Sequence, residues 1–149
     1  MSETTLAKWS EDFPSVITLP VQWGDQDALG HVNNIVYFRW FESSRVAYMN
    51  NMGLRAERGS EPMGPILASI HCDYRRQLTY PETVHVGARV VRIGRSSIDI
   101  EHQVRCDSHD QVVAEAKSTL VVFDYEKQSS VPVPEAMRQA IAEAEGRAF

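Results

Sequence analysis

Residues 35–50 read IVYFRWFESSRVAYMN, and the reading of this stretch decides the fold. Stepping each residue by about 100° sets Ile35, Val36, Tyr37, Phe38, Trp40, Phe41, Val46 and Tyr48 all round one axis. A helix that is apolar on every side belongs inside a protein. Asn33 or Asn34 can cap its start, and Asn51 with Gly53 marks its end. Glu42 and Arg45 are then expected to form an internal ion pair, because neither charge tolerates burial alone.

Outward from this helix the pattern changes to strands. Residues 16–23 (VITLPVQW) are rich in β-formers, although Pro20 restricts them to an edge or a bulge. Residues 24–34 form a loop, and 61–65 a turn region. Four β-patterned stretches follow at 66–75, 83–93, 96–106 and 111–123. The third alternates cleanly, with Ile98, Ile100, Val104 and Cys106 on one face and Asp99, Glu101, Gln103 and Arg105 on the other. Residues 107–110 (DSHD) read as a hairpin turn, and Gly94 sits at the turn before it. Pro134 opens a short amphipathic helix that runs to Glu145. Residues 1–14 are polar and end in Pro14, so a loose arm is expected there, with 15–149 as one domain.

Strands joined by short turns are mostly antiparallel. A helix buried on all sides can only be wrapped by them. The expected architecture is therefore α+β, one antiparallel sheet curled round one long helix.

Bulk properties narrow the function. A chain of 149 residues with 43% hydrophobic content holds one ordinary core. A net charge of −5 opposes a nucleic-acid partner. Two cysteines, Cys72 and Cys106, are too few for a disulfide scaffold. No apolar run approaches the ~20 residues that span a bilayer. No basic segment followed by an apolar stretch opens the chain, so a cytoplasmic protein without a membrane is expected. The five histidines are scattered, and no metal site or Ser-centred nucleophile motif is visible.

Residues 21–45 read VQWGDQDALGHVNNIVYFRWFESSR. Here an aromatic-x-Asp-x-Asp is followed by Gly-His-Val-Asn-Asn, a Tyr early in the helix, and then Trp, Glu and Arg. The ordered set resembles the opening of hotdog-fold acyl thioesterases, in the branch that includes 4-hydroxybenzoyl-CoA thioesterase. The order of elements is similar to that family from Val16 to about Tyr125.

Thioester hydrolysis asks for a carboxylate at the carbonyl carbon, or at a water beside it, and for donors to the developing oxyanion. A helix N-terminus supplies free amides and a favourable dipole. Asp27 lies seven residues before Asn34, so this one segment can present both. The resemblance implies Asp27 as the catalytic carboxylate and the backbone near Asn34 as the carbonyl-polarising donor. Asp25 reads as a loop brace. His31 resembles the His of plant acyl-carrier-protein thioesterases, where it joins an Asp and an Asn; the position of that Asn is Leu29 here. It either shapes the loop or touches substrate.

Residues 94–97 (GRSS) resemble the family's turn that meets the nucleotide phosphates of CoA, with Arg95 pairing with phosphate and Ser96 donating a hydrogen bond. Arg75, Arg76, Arg89 and Arg92 could add to a basic rim. The sequence departs from many members in carrying Arg75-Arg76-Gln77 where a Pro often follows the strand.

The expected function is hydrolysis of an aryl- or alkyl-CoA thioester, with no cofactor. The alternatives are hydrolysis of acyl-acyl-carrier-protein, a non-catalytic acyl-CoA-binding hotdog module, and a hotdog dehydratase, whose His and carboxylate would stand in a different order. A single curled sheet leaves unpaired edges, so a homodimer or homotetramer is expected.

Overall fold

The computed structural model describes residues 1–53 and 62–149. Its elements run α1 (Glu3–Ser10), β1 (Ser15–Pro20), a 3-10 turn (Trp23–Asp25), α2 (Asn34–Asn51), β2 (Met63–Tyr74), β3 (Thr83–Ile93), β4 (Ser97–Cys106), β5 (His109–Asp124), β6 (Ser129–Ser130) and α3 (Glu135–Glu145). All strand pairs are antiparallel, in the order β1-β3-β4-β5-β2, with the short β6 on β5. This is the α+β hotdog architecture, a curled sheet on a long helix.

The period of two along β4 explains the sheet's inner face. Ile98, Ile100, His102, Val104 and Cys106 are buried against the helix side. Two clusters divide the core. Val36, Tyr37, Trp40 and Phe41, from the first half of α2, pack on Val84, Val86, Val104 and Ala114. Tyr48 and Met49, from its last turns, pack on Val90, Ile98, Ile100 and Leu120, together with Ile141 of α3. The carboxylate of Glu145 ties this second end together, accepting from Tyr48 Oη and from the Val90 N–H, each at 2.6 Å.

Four details differ from the sequence reading. First, α2 is buried on one side only: Ile35 and Val46 are 67% and 54% exposed, and Arg39, Glu42 and Ser43 share that open face. The sheet curls round one side of the helix within a single chain. Second, Glu42 and Arg45 do not pair. Three residues of helix turn them about 60° apart, which leaves Glu42 exposed and Arg45 buried, with its Nη1 donating to Ser118 Oγ at 3.0 Å.

Third, the arm at 1–14 is a helix and a strap. Ser2 caps α1 through the Thr5 N–H. Trp9 and Phe13 are buried on the outer face of the sheet, where Trp9 Nε1 donates to Gln103 Oε1 at 2.8 Å and the Arg89 guanidinium sits 5.1 Å above the Phe13 ring. Phe13 fits because residue 87 is glycine: a Cβ there would lie 2.6 Å from its ring. Fourth, β2 already begins at Met63, so most of the turn region read at 61–65 is strand; Glu61 lies outside the described residues.

Candidate active site

The loop between β1 and α2 is built around two aspartates with different work. Asp25 is buried. Its Oδ2 accepts from the Gln22 N–H at 2.8 Å and its Oδ1 from Arg39 Nη2 at 3.1 Å, which is the bracing role expected of it. The Asn33 N–H donates to the Asp25 carbonyl at 2.9 Å, so the loop is fastened to the helix start. Asp27 stands outside this brace and is exposed. Its Oδ1 accepts from the Leu29 N–H at 2.9 Å and, more weakly, from the His31 N–H at 3.4 Å, while its own N–H donates to the His31 carbonyl at 2.8 Å. The 26–32 segment is closed by a bridge between Gln26 and Val32, with Gly30 at φ +80° completing the turn.

The start of α2 leaves one donor over. Asn33 is the N-cap: its side chain accepts from the Ile35 N–H at 3.0 Å, and its carbonyl from the Val36 N–H at 3.0 Å. The Asn34 N–H donates to no acceptor among the described residues. It therefore stands available at the positive end of an 18-residue helix.

A cavity of about 280 Å³ opens beside it, lined by His31, Asn34, Tyr37, Tyr74, Arg76 and Leu78, among others. Asp27 is not among its lining residues; His31 is, so this residue both shapes the Asp27 loop through its backbone and borders the cavity. Tyr37 and Tyr74 meet edge-on at 5.0 Å, and Tyr74 Oη donates to the Asn34 carbonyl at 3.4 Å. Burial, with smaller contributions from Cys72, pushes the Tyr74 phenol up to about 12 and that of Tyr37 higher still, so both remain protonated donors. Tyr74 and Leu78 were not singled out by their sequence, and Arg76 only as a candidate for a basic rim. They come from the end of β2 and the loop after it, and no local motif marks them.

Arg95 and Ser96 lie elsewhere. They form the β3–β4 turn at the end of the sheet that packs on the last turns of α2, whereas Asp27 and Asn34 sit at its first turn. An 18-residue helix is about 27 Å long. One chain therefore does not bring these two groups together. Among the other basic residues, Arg75 is held by Glu115 at 3.2 Å and Arg89 by Glu101 at 3.2 Å, and Arg92 approaches Asp99 at 3.8 Å. Arg76 and Arg95 have no acidic partner among the described residues. No group of three or more His, Cys, Asp or Glu placed to hold a metal occurs among the described residues. No described helix is long and apolar enough to cross a membrane.

Comparison with known proteins places this architecture. A family profile described as the thioesterase-like superfamily matches residues 21–141. A thioesterase of Thermus thermophilus, solved in complex with coenzyme A and zinc, is 32% identical with a TM-score of 0.80, covering 93% of this chain and 99% of that one. A thioesterase-superfamily protein of Jannaschia sp. CCS1 is 25% identical with a TM-score of 0.83, covering 100% and 96%. The Bacillus subtilis (strain 168) protein YsmA is 26% identical over 95 residues, which is 64% of this chain and 63% of YsmA's own length.

Proposed function

The chain belongs to the thioesterase-like superfamily, and on that premise we propose that it hydrolyses acyl-CoA thioesters to the free acid and CoA, with Asp27 as the reacting carboxylate. The observation that carries this reading is the unengaged Asn34 N–H at the start of α2, opening on the cavity a few residues after the Asp27 loop. A thioester carbonyl set against that amide gains a donor aimed at the charge that develops on its oxygen. Asp27 then attacks the carbonyl carbon, or takes the proton of a water that does. The C–S bond breaks, the thiolate leaves, and the acid departs once a hydroxyl from water is on the carbon.

CoA is preferred over other thiols because the Arg95–Ser96 turn offers a cation and a hydroxyl for phosphate, and because a relative of 32% identity binds coenzyme A. The working unit is a homo-oligomer. Asp27 is exposed in the single chain, yet the chemistry needs a water-poor site. Two α2 helices packed antiparallel about a two-fold axis would cover it and bring the partner subunit's Arg95 toward the first turn of α2.

Asp27→Ala, assayed over a panel of aryl- and alkyl-CoA thioesters, should lower kcat by a factor on the order of 10³ or more with the fold intact. Equal kcat for the variant and the parent on a good substrate refutes the assignment. Mass spectrometry of a quenched single turnover separates the two roles: an acyl group covalently attached to the Asp27 side chain forms only if it is the nucleophile.

A further inference from the structure

The β3–β4 turn is polarised in a way its sequence does not reveal. All three carbonyls of residues 94–96 are occupied from within the chain. The Gly94 carbonyl accepts from Arg138 Nη2, and the Arg95 carbonyl from the Val133 N–H at 2.8 Å and again from Arg138 Nη2 at 3.3 Å. The Ser96 carbonyl accepts from the Val122 N–H at 2.9 Å. The donors are not occupied: the N–H groups of Arg95 and Ser96 meet no acceptor among the described residues, and the Arg95 side chain is exposed. Acceptors are thus drawn into the protein while two amides, a hydroxyl and a guanidinium are left over at one turn.

A phosphate oxygen accepts hydrogen bonds and is repelled by carbonyl oxygens. A turn with its carbonyls tied back and its amides spare is suited to it. Part of the tie comes from α3, which among the described residues alone holds the Gly94 carbonyl. Arg138 is half-buried, one helical turn beyond Pro134, and its single Nη2 bridges two consecutive carbonyls. Gly94 is crowded as well: a Cβ there would lie 2.7 Å from Ser97 Oγ, so the turn has little freedom to rearrange once Arg138 holds it.

We propose that Arg138 is a positioning residue for a phosphate-binding turn: by holding the Gly94 and Arg95 carbonyls inward it leaves the Arg95 and Ser96 amides facing the phosphate of the thiol carrier. The inference rests on the acyl-CoA reading of the function and adds to it a residue on α3 that does not touch the reacting atoms. The phosphate can come from the nucleotide of CoA or from the phosphopantetheine arm of a carrier protein, whose shared chemistry is the phosphate ester.

The test compares one acyl group carried on CoA, on 4′-phosphopantetheine and on unphosphorylated pantetheine. Arg138→Ala should raise KM for the acyl-CoA about tenfold, leave kcat near the parent value, and leave both constants for acyl-pantetheine unchanged. Arg138→Lys should recover part of the loss. Adenosine 3′,5′-bisphosphate as an inhibitor gives a readout independent of turnover: its Ki should rise in parallel if the turn meets the nucleotide phosphates and stay unchanged if it meets the arm. A loss confined to acyl-CoA assigns the turn to the nucleotide phosphates; one shared with acyl-phosphopantetheine assigns it to the arm. An unchanged KM for both phosphorylated substrates in Arg138→Ala, or one raised equally for acyl-pantetheine, overturns the proposal. If the parent enzyme does not distinguish acyl-CoA from acyl-pantetheine, the phosphate reading of the turn falls and this proposal with it. If the parent distinguishes them and Arg138→Ala does so equally well, only the role of Arg138 is refuted.

Discussion

The Arg39 guanidinium lies 3.1 Å from the buried carboxylate of Asp25, and this contact bolts the Asp27 loop to the helix that follows it. Two aspartates two residues apart thereby stand in opposite surroundings, Asp25 buried and braced and Asp27 exposed. Removing Asp25 strands the Gln22 N–H and frees Arg39, which should cost about 1–3 kcal/mol of stability. Asp25→Ala should therefore lower Tm by several degrees and kcat by far less than Asp27→Ala does. Asp27→Ala should barely move Tm, because its carboxylate is exposed. Calorimetry beside steady-state kinetics on the two variants checks the contrast; a reversed order would mean that the roles have been exchanged.

His102 makes the stability depend on acid. It is 1% exposed beneath α2, and burial, aided by the Arg45 charge, lowers it to about 3. Its ordinary value is about 6.5, so the unfolded chain binds a proton between these limits that the folded chain refuses. Stability present above about pH 6.5 is accordingly lost as pH falls toward 3, by up to about 1.4 kcal/mol per pH unit from this one group. His102→Gln should flatten that part of a denaturation-versus-pH curve. A slope unaffected by the substitution would show that another group carries it.

Local periodicity made much of this legible. The helix read at 35–50 is Asn34–Asn51, and the strand read at 83–93 is Thr83–Ile93. These are places where propensity, pattern and capping residues agree. What could not be read depends on partners distant in the chain. Trp9 and Phe13 stand in a polar segment and gain their burial from residues distant in the chain, Gly87, Arg89 and Gln103 among them. Arg45 finds Ser118 instead of the neighbour its spacing suggested. In the candidate site, the Asp27 loop and the Asn34 amide were visible because they share one segment. The opposite cavity wall, at Tyr74 to Leu78, comes from the end of β2 and the loop after it, and meets this segment where the Val32 N–H donates to the Leu78 carbonyl at 2.8 Å.

The strap formed by α1 gives a third prediction. A methyl group on residue 87 would meet the Phe13 ring at 2.6 Å, closer than carbon atoms pack. Gly87→Ala should undock the N-terminal segment while the sheet persists, shifting Trp9 fluorescence to the red and opening residues 1–14 to proteolysis. Adding Phe13→Ala should cancel most of the extra cost, so the pair is strongly non-additive. An unaltered Trp9 signal in Gly87→Ala would show that the ring moves aside at no cost.

A fourth concerns metals. In the proposed mechanism the carboxylate at Asp27 is nucleophile or base and the amide at Asn34 the oxyanion donor, and no ligand cluster for a metal occurs among the described residues. Exhaustive dialysis against EDTA should leave kcat and KM unchanged. Lost activity that returns with zinc or magnesium would reveal a metal requirement.

The last prediction follows from the open face of α2. Ile35 and Val46 are 67% and 54% exposed, with Arg39 and Glu42 between them, and the edge strand β2 leaves Ile66 and Leu67 over a third exposed. An apolar stripe with one cation and one anion along it is self-complementary when two copies pack antiparallel, and a bare sheet edge invites further pairing. Such an interface should exceed ~1,000 Å², and light scattering should give a multiple of 16.8 kDa that persists on dilution. Val46→Glu places a charge in the stripe and should yield monomers. Because Asp27 is exposed in the single chain, those monomers should also lose most of their activity, and kcat should fall in step with the monomer fraction rather than with thermal stability. A parent protein of 16.8 kDa with full activity, or a monomeric Val46→Glu that retains it, would show that each chain builds its site alone.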